Sequence, residues 1–155
     1  MKTCLKLRLL SFLVLLFYTT LSVSGKTSPE TLARYRKFIN QHVDAKMAAN
    51  NCDREVNRRQ IFDINTGACK DTNTFILATT NHIKPICDKA GKPYPGERNL
   101  RISNQPFPVV NCEAKRKGKR VPNCVYNGKA ATVYIVISCE EGYPVHYDHG
   151  RKWMI

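Results

Sequence analysis

Six cysteines, Cys52, Cys69, Cys87, Cys112, Cys124 and Cys139, constrain this chain more than any other feature. A seventh, Cys4, belongs to a different kind of segment. Lys2, Lys6 and Arg8 precede an almost wholly apolar run from Leu9 to Leu21, and the small residues Ser22, Ser24 and Gly25 follow it. A basic head, a short apolar middle and a small-residue exit predict a signal peptide over 1–24, cut near 24/25, and a secreted domain over 25–155. The run is short for a membrane anchor, which needs about 20 apolar residues. In an oxidising compartment an even six cysteines imply three disulfides, and spacing alone leaves all fifteen connectivities open. Zinc is the competing use of such cysteines. It fails for want of a C-x-x-C pair, since the nearest two, Cys112 and Cys124, are 12 positions apart. About 130 residues remain, the size of one domain. Each bridge adds about 2–4 kcal/mol to what is a modest core.

The pattern along that domain changes from helical to extended. Ser28 predicts an N-cap, with Pro29 at the first helical position and Glu30 near the positive end of the dipole. Leu32, Tyr35, Phe38, Ile39, His42 and Val43 then recur at three- and four-residue steps, so a histidine lies on the buried edge of an amphipathic helix. Two shorter helices are predicted, around Cys52 to Arg59 and around Thr80 to Cys87. Beyond them come β-favouring runs at Leu100 to Ser103, Val109 to Glu113, Val125-Tyr126, Thr132 to Cys139 and Val145 to Tyr147. The breaks between them include Asn127-Gly128 and Glu141-Gly142. Helices early and strands late, stapled by disulfides, predict an α+β fold with an antiparallel sheet.

Charge narrows the partners. The chain carries 25 Lys and Arg against 12 Asp and Glu, a net +13. Three bases and no acid leave with residues 1–24, so +10 remains. Such a charge favours polyanions: nucleic acid, acidic glycans or anionic membrane. Lys115, Arg116, Lys117, Lys119 and Arg120 concentrate it in a run expected to lie at a distance from any catalytic residues. Arg54, Arg58 and Arg59 gather on the second predicted helix. A charge run is by default a solvated loop, and the same default applies to each of the four histidines, His42, His82, His146 and His149.

Three segments raise some of these residues above that default. They are Gln41-His42 on the first helix, Cys69-Lys70-Asp71-Thr72-Asn73-Thr74-Phe75, and Pro144-Val145-His146-Tyr147-Asp148 near the end. Alternation in a strand puts His146 and Asp148 on one face, where the carboxylate can hold a ring nitrogen. A lysine beside a disulfide cysteine can be aimed. In this order, over about Thr31 to His149, the chain resembles the pancreatic-type ribonuclease superfamily. Six cysteines where the pancreatic enzymes have eight, and the string Arg98-Asn99-Leu100-Arg101-Ile102-Ser103, are similar to its angiogenin-like branch.

The resemblance implies a V-shaped, bilobal α+β domain with three helices, a twisted antiparallel sheet and the pairing Cys52–Cys112, Cys69–Cys124 and Cys87–Cys139. It implies that His42 is the general base, His146 the general acid, and Lys70 the cation beside the reacting phosphoryl group. Gln41 and the Tyr147 backbone would contact phosphate, Asp148 would orient His146, Thr74 would read a pyrimidine edge, and Glu140 would touch the downstream base. The implied activity is cleavage of single-stranded RNA after pyrimidines through a 2′,3′-cyclic phosphate, by a monomer with no cofactor and no metal. Angiogenic and antibacterial roles are implied with it. Two imidazoles with ordinary pKa values of about 6.5 suit acid and base work near neutral pH. Tyr147 stands where the pancreatic enzymes carry Phe, the missing bridge frees the loop from about Ala90 to Arg98, and His149 falls near a residue that blocks the pyrimidine pocket in angiogenins. A rival reading is a cationic antibacterial protein, or a ligand for heparin-like glycans, a bacterial envelope or a cell-surface receptor, with vestigial catalysis.

Overall fold

The computed structural model describes residues 25–153; the proposed signal peptide over 1–24 lies outside them. Helix α1 spans Pro29–His42, and the Ser28 side chain accepts a hydrogen bond from the Thr31 amide, as the cap residue requires. Helix α2 spans Cys52–Arg58, after a 3-10 turn over Ala49–Asn51. The third predicted helix is split. Helix α3 covers only Thr80–Ile83, and Lys84–Cys87 tightens into a 3-10 turn at Pro85, whose nitrogen has no hydrogen to donate.

Six strands follow or interleave: β1 Thr72–Ile76, β2 Gly91–Pro93, β3 Leu100–Ser103, β4 Phe107–Ala114, β5 Tyr126–Glu140 and β6 Tyr143–Arg151. The long strand β5 makes the molecule two-lobed. Its first half, from Tyr126 to Val133, pairs with β4, which pairs in turn with β1. Its second half pairs with β3 and β6, and β2 extends β3. One core packs Met47, Val56, Ile61, Phe75, Val110 and Tyr126 under α2. The other packs Phe38, Ile76, Ile83, Ile86, Ile135 and Ile137 under α1 and α3. Cys52–Cys112 and Cys69–Cys124 staple the first lobe, and Cys87–Cys139 staples the second.

Two expectations change here. Asn127-Gly128 is no break: it lies inside β5, opposite Glu113 and Cys112. The glycine answers a close approach instead, because a Cβ at position 128 would lie 2.0 Å from the Ala49 carbonyl oxygen. The Lys70 segment runs directly into a strand, β1, that the polar residues Thr72, Asn73 and Thr74 hide from a hydrophobic pattern. The Glu141-Gly142 turn is where expected, with both residues at positive φ (49° and 78°) between β5 and β6.

Candidate active site

The end of α1, strand β1 and strand β6 meet at one cleft of about 560 Å³, lined by His42, Lys70, Thr74, His146, Tyr147 and Asp148 among others. His42 occupies the last turn of α1 and is buried, at 7% exposure. Its Nδ1–H donates to the Thr74 carbonyl at 2.8 Å. That bond leaves Nε2 of the neutral ring bare, as a base needs. Burial, with the nearby Lys70 and His146 charges adding to it and the Thr74 bond opposing, pushes the His42 pKa down to about 3.

This depression predicts a pH dependence of stability. In the unfolded chain His42 regains a pKa of about 6.5, so between the two values the unfolded state binds a proton that the folded state refuses. Stability is therefore full above about pH 6.5 and falls with acid at up to roughly 1.4 kcal/mol per pH unit toward pH 3. Glu55 joins only below about pH 4.5, because hydrogen bonds from Arg58, Arg59 and Arg54 hold its carboxyl at about 2. Urea unfolding at pH 7, 6 and 5 should show the loss above the Glu55 window, and His42→Gln should flatten it. An unchanged slope in that variant would assign the acid sensitivity elsewhere.

Lys70 follows the Cys69 bridge and reaches Gln41, donating to its Oε1 at 3.1 Å. Burial and then the neighbouring Lys37 lower its pKa, with Asp63 opposing. Asn73, quoted within the motif but given no role, proves central. Its Nδ2 donates to the Gln41 carbonyl at 2.8 Å, and its buried Oδ1 has no partner among the described residues. Asn111, on β4 opposite Thr74, accepts the Thr74 hydroxyl proton at 2.8 Å and was likewise unmarked by sequence. A buried asparagine inside a strand, against its propensity, is the signal that could have found both.

Strand β6 departs from simple alternation. Val136 faces His149 and Ile137 faces Tyr147, so Asp148 is an extra, bulged residue; a second register shift lies between Ser138 and Cys139. Bulges re-aim side chains, and these flank His146 and Tyr147. The expectation that His146 and Asp148 share a face is corrected accordingly. Asp148 Oδ1 lies 2.5 Å from His149 Nδ1, and His149 Nε2 meets the Tyr94 hydroxyl at 3.3 Å. His146 itself is exposed on the cleft wall. The Tyr147 ring stacks on His42, with centroids 5.3 Å apart. Glu140 is held by an ion pair to Arg34 on α1. His82 lies away from the cleft, beside the Thr79 hydroxyl.

The basic clusters also differ from expectation. The 115–120 run is exposed as predicted, yet it is not distant. Gly118 lines the cleft, Lys117 pairs with Asp71 at 2.8 Å, and the Lys119 carbonyl accepts the Cys69 amide at 2.6 Å. On α2 the arginines are turned inward: Arg54, Arg58 and Arg59 all bond the Glu55 carboxylate. Arg59, only 13% exposed at its side chain, also bonds Asp44 and the Val43 carbonyl. Arg59 is thus a structural strut and leaves no free Arg58-Arg59 patch. Among the described residues no three His, Cys, Asp or Glu side chains gather as a metal site.

A helix end and two strands converging on paired histidines and a lysine, in a two-lobed α+β frame, define a class of small disulfide-bonded ribonucleases. A family model described as "Pancreatic ribonuclease" matches residues 33–148. The chain belongs to the pancreatic-type ribonuclease superfamily. Its relatives set it in the angiogenin-like branch. "Angiogenin-3" of Mus musculus is 42% identical over 139 residues, covering 88% of this chain and 91% of that protein. "Ribonuclease-like 3" of Danio rerio is 39% identical over 138 residues, with the same shares. The X-ray structure of zebrafish RNase5 superposes with a TM-score of 0.74 at 48% identity, covering 81% of this chain and all of that one.

Proposed function

We propose that the protein is a secreted endoribonuclease that cuts single-stranded RNA on the 3′ side of pyrimidines. The observation that carries this reading is His42: neutral, fixed in one tautomer by Thr74, and sharing a cleft with His146 and Lys70. His42 Nε2 takes the ribose 2′-OH proton, and the 2′-oxygen attacks the adjacent phosphorus. His146 delivers a proton to the departing 5′-oxygen, leaving a 2′,3′-cyclic phosphate and a free 5′-hydroxyl. The Lys70 ammonium offsets the charge that develops on the phosphoryl oxygens, the kind of stabilisation usually largest in catalysis. Gln41 Oε1 is spoken for by Lys70, so its role in binding phosphate is joined to positioning that ammonium.

A second reading rests on the exposed Lys115, Arg116 and Lys119, which hold positive charge outward beside the cleft. They suit an angiogenic or host-defence role toward heparin-like glycans or a bacterial envelope, and this role is compatible with catalysis. The direct test is an oligonucleotide with one pyrimidine, incubated with the protein in excess EDTA. The expected product carries a 2′,3′-cyclic phosphate, and replacing that pyrimidine ribose by 2′-deoxyribose should abolish cleavage, because the nucleophile is gone. Cleavage of the deoxy substrate, or dependence on added metal, would overturn the reading.

A further inference from the structure

A recess beside the cleft is lined by Thr74, Asn111, Val133, Tyr147, His149 and Gly150. Thr74 is the residue to which the ribonuclease reading assigns the base edge, and a hydroxyl offers one proton and two lone pairs. Here that hydroxyl is committed on both sides. Its proton goes to Asn111 Oδ1 at 2.8 Å, and the Tyr147 hydroxyl hydrogen-bonds the Thr74 side chain. His149, bonded to Asp148 and Tyr94, is directed elsewhere.

The phenol is held there by its surroundings. Its ring stacks on buried His42 and packs against the second core. At the far end lies Gly150, where an added Cβ would sit 3.1 Å from the Tyr147 oxygen and 2.6 Å from Val133 Cγ2. The absent side chain leaves the space next to which the hydroxyl sits. A phenylalanine ring would make the same stack without reaching Thr74.

We propose that the Tyr147 hydroxyl is a built-in occupant of the base recess: it competes with the ring N–H of uracil for the Thr74 oxygen and so sets pyrimidine affinity. The inference rests on the ribonuclease reading only for the identity of the ligand. Its test reads binding, not turnover, by titrating uridine 3′-monophosphate calorimetrically into the wild-type protein and Y147F. Releasing one neutral hydrogen-bond partner should tighten binding roughly three- to tenfold. Adenosine 3′-monophosphate, which lacks a pyrimidine edge, should change less than about twofold. The gain should vanish in the double variant Y147F/T74V. Thr74→Val alone should weaken uridine 3′-monophosphate binding less than about twofold, since its hydroxyl is already engaged, a readout that does not require Y147F to fold. Equal or weaker binding by Y147F, an equal gain for the adenosine nucleotide, or a large loss in Thr74→Val would each overturn the proposal. Tighter uridine nucleotide binding in a protein that cuts no RNA would leave it standing and remove the ribonuclease reading instead.

Discussion

His146→Ala is expected to lower RNA cleavage by about 10²–10⁴-fold, the contribution of one positioned acid or base, while leaving the folded state almost untouched. His146 is exposed, so its removal opens no cavity. His42→Ala should lower cleavage as far, but with a different physical signature. That ring is buried, stacks on Tyr147 and satisfies the Thr74 carbonyl. Truncation leaves a cavity and an unpaired acceptor, for which an unfolding loss of about 2–4 kcal/mol is expected at neutral pH. The double variant should be little worse than either single one, because acid and base act as a unit. His82→Ala should cleave RNA like wild type, since His82 lies on α3 against Thr79, outside the cleft. Single-turnover cleavage of a pyrimidine-containing dinucleotide, alongside urea unfolding, measures all four. A His82 variant as damaged as His42→Ala would dissolve the assignment.

The elements legible in the sequence were those written in local physics. The Ser28-Pro29 start and the stripe through Phe38 and His42 specify α1, and both hold in the structure. The order of Gln41-His42, the Lys70 segment and His146 sufficed to bring distant residues to one cleft. What stayed hidden depends on long-range pairing. Strand β1 is polar at three of its five positions and is defined by its ladder to β4. Alternation puts His146 and Asp148 together only on an unbroken pleat, and two register shifts against β5 break it. The inward turn of Arg59 needed Glu55 and Asp44, carboxylates that a count of basic residues does not weigh. Asn111 and Thr74 are 37 positions apart and meet only through register.

Reversing Lys115, Arg116 and Lys119 to glutamate is expected to separate binding of long RNA from the chemical step. These three are chosen because the loop itself is held by other bonds. The Lys119 carbonyl and the Lys115 amide make main-chain bonds to Cys69 and Val125, and Arg120 reaches the Thr66 carbonyl. Lys117 is spared because its pair with Asp71 stands next to Lys70, and a glutamate there would bring two carboxylates together at the cleft. The pair is exposed at both ends and worth about 0–1 kcal/mol, so the loop's position rests on the backbone bonds. For a single strand, every phosphate that the protein no longer neutralises flattens the log–log salt dependence by about 0.7. The triple variant should therefore drop up to about two units of slope on long RNA. A dinucleotide places its one phosphate at His42, Lys70 and His146, and its cleavage should stay within about threefold of wild type once long-range charge is screened by about 0.15 M salt. Retention on heparin should fall with the slope. Because the loop borders the cleft, a dinucleotide rate that collapsed in this variant with its fold intact would mean that the loop takes part in the catalytic step itself. The two proposed roles would then draw on one set of residues.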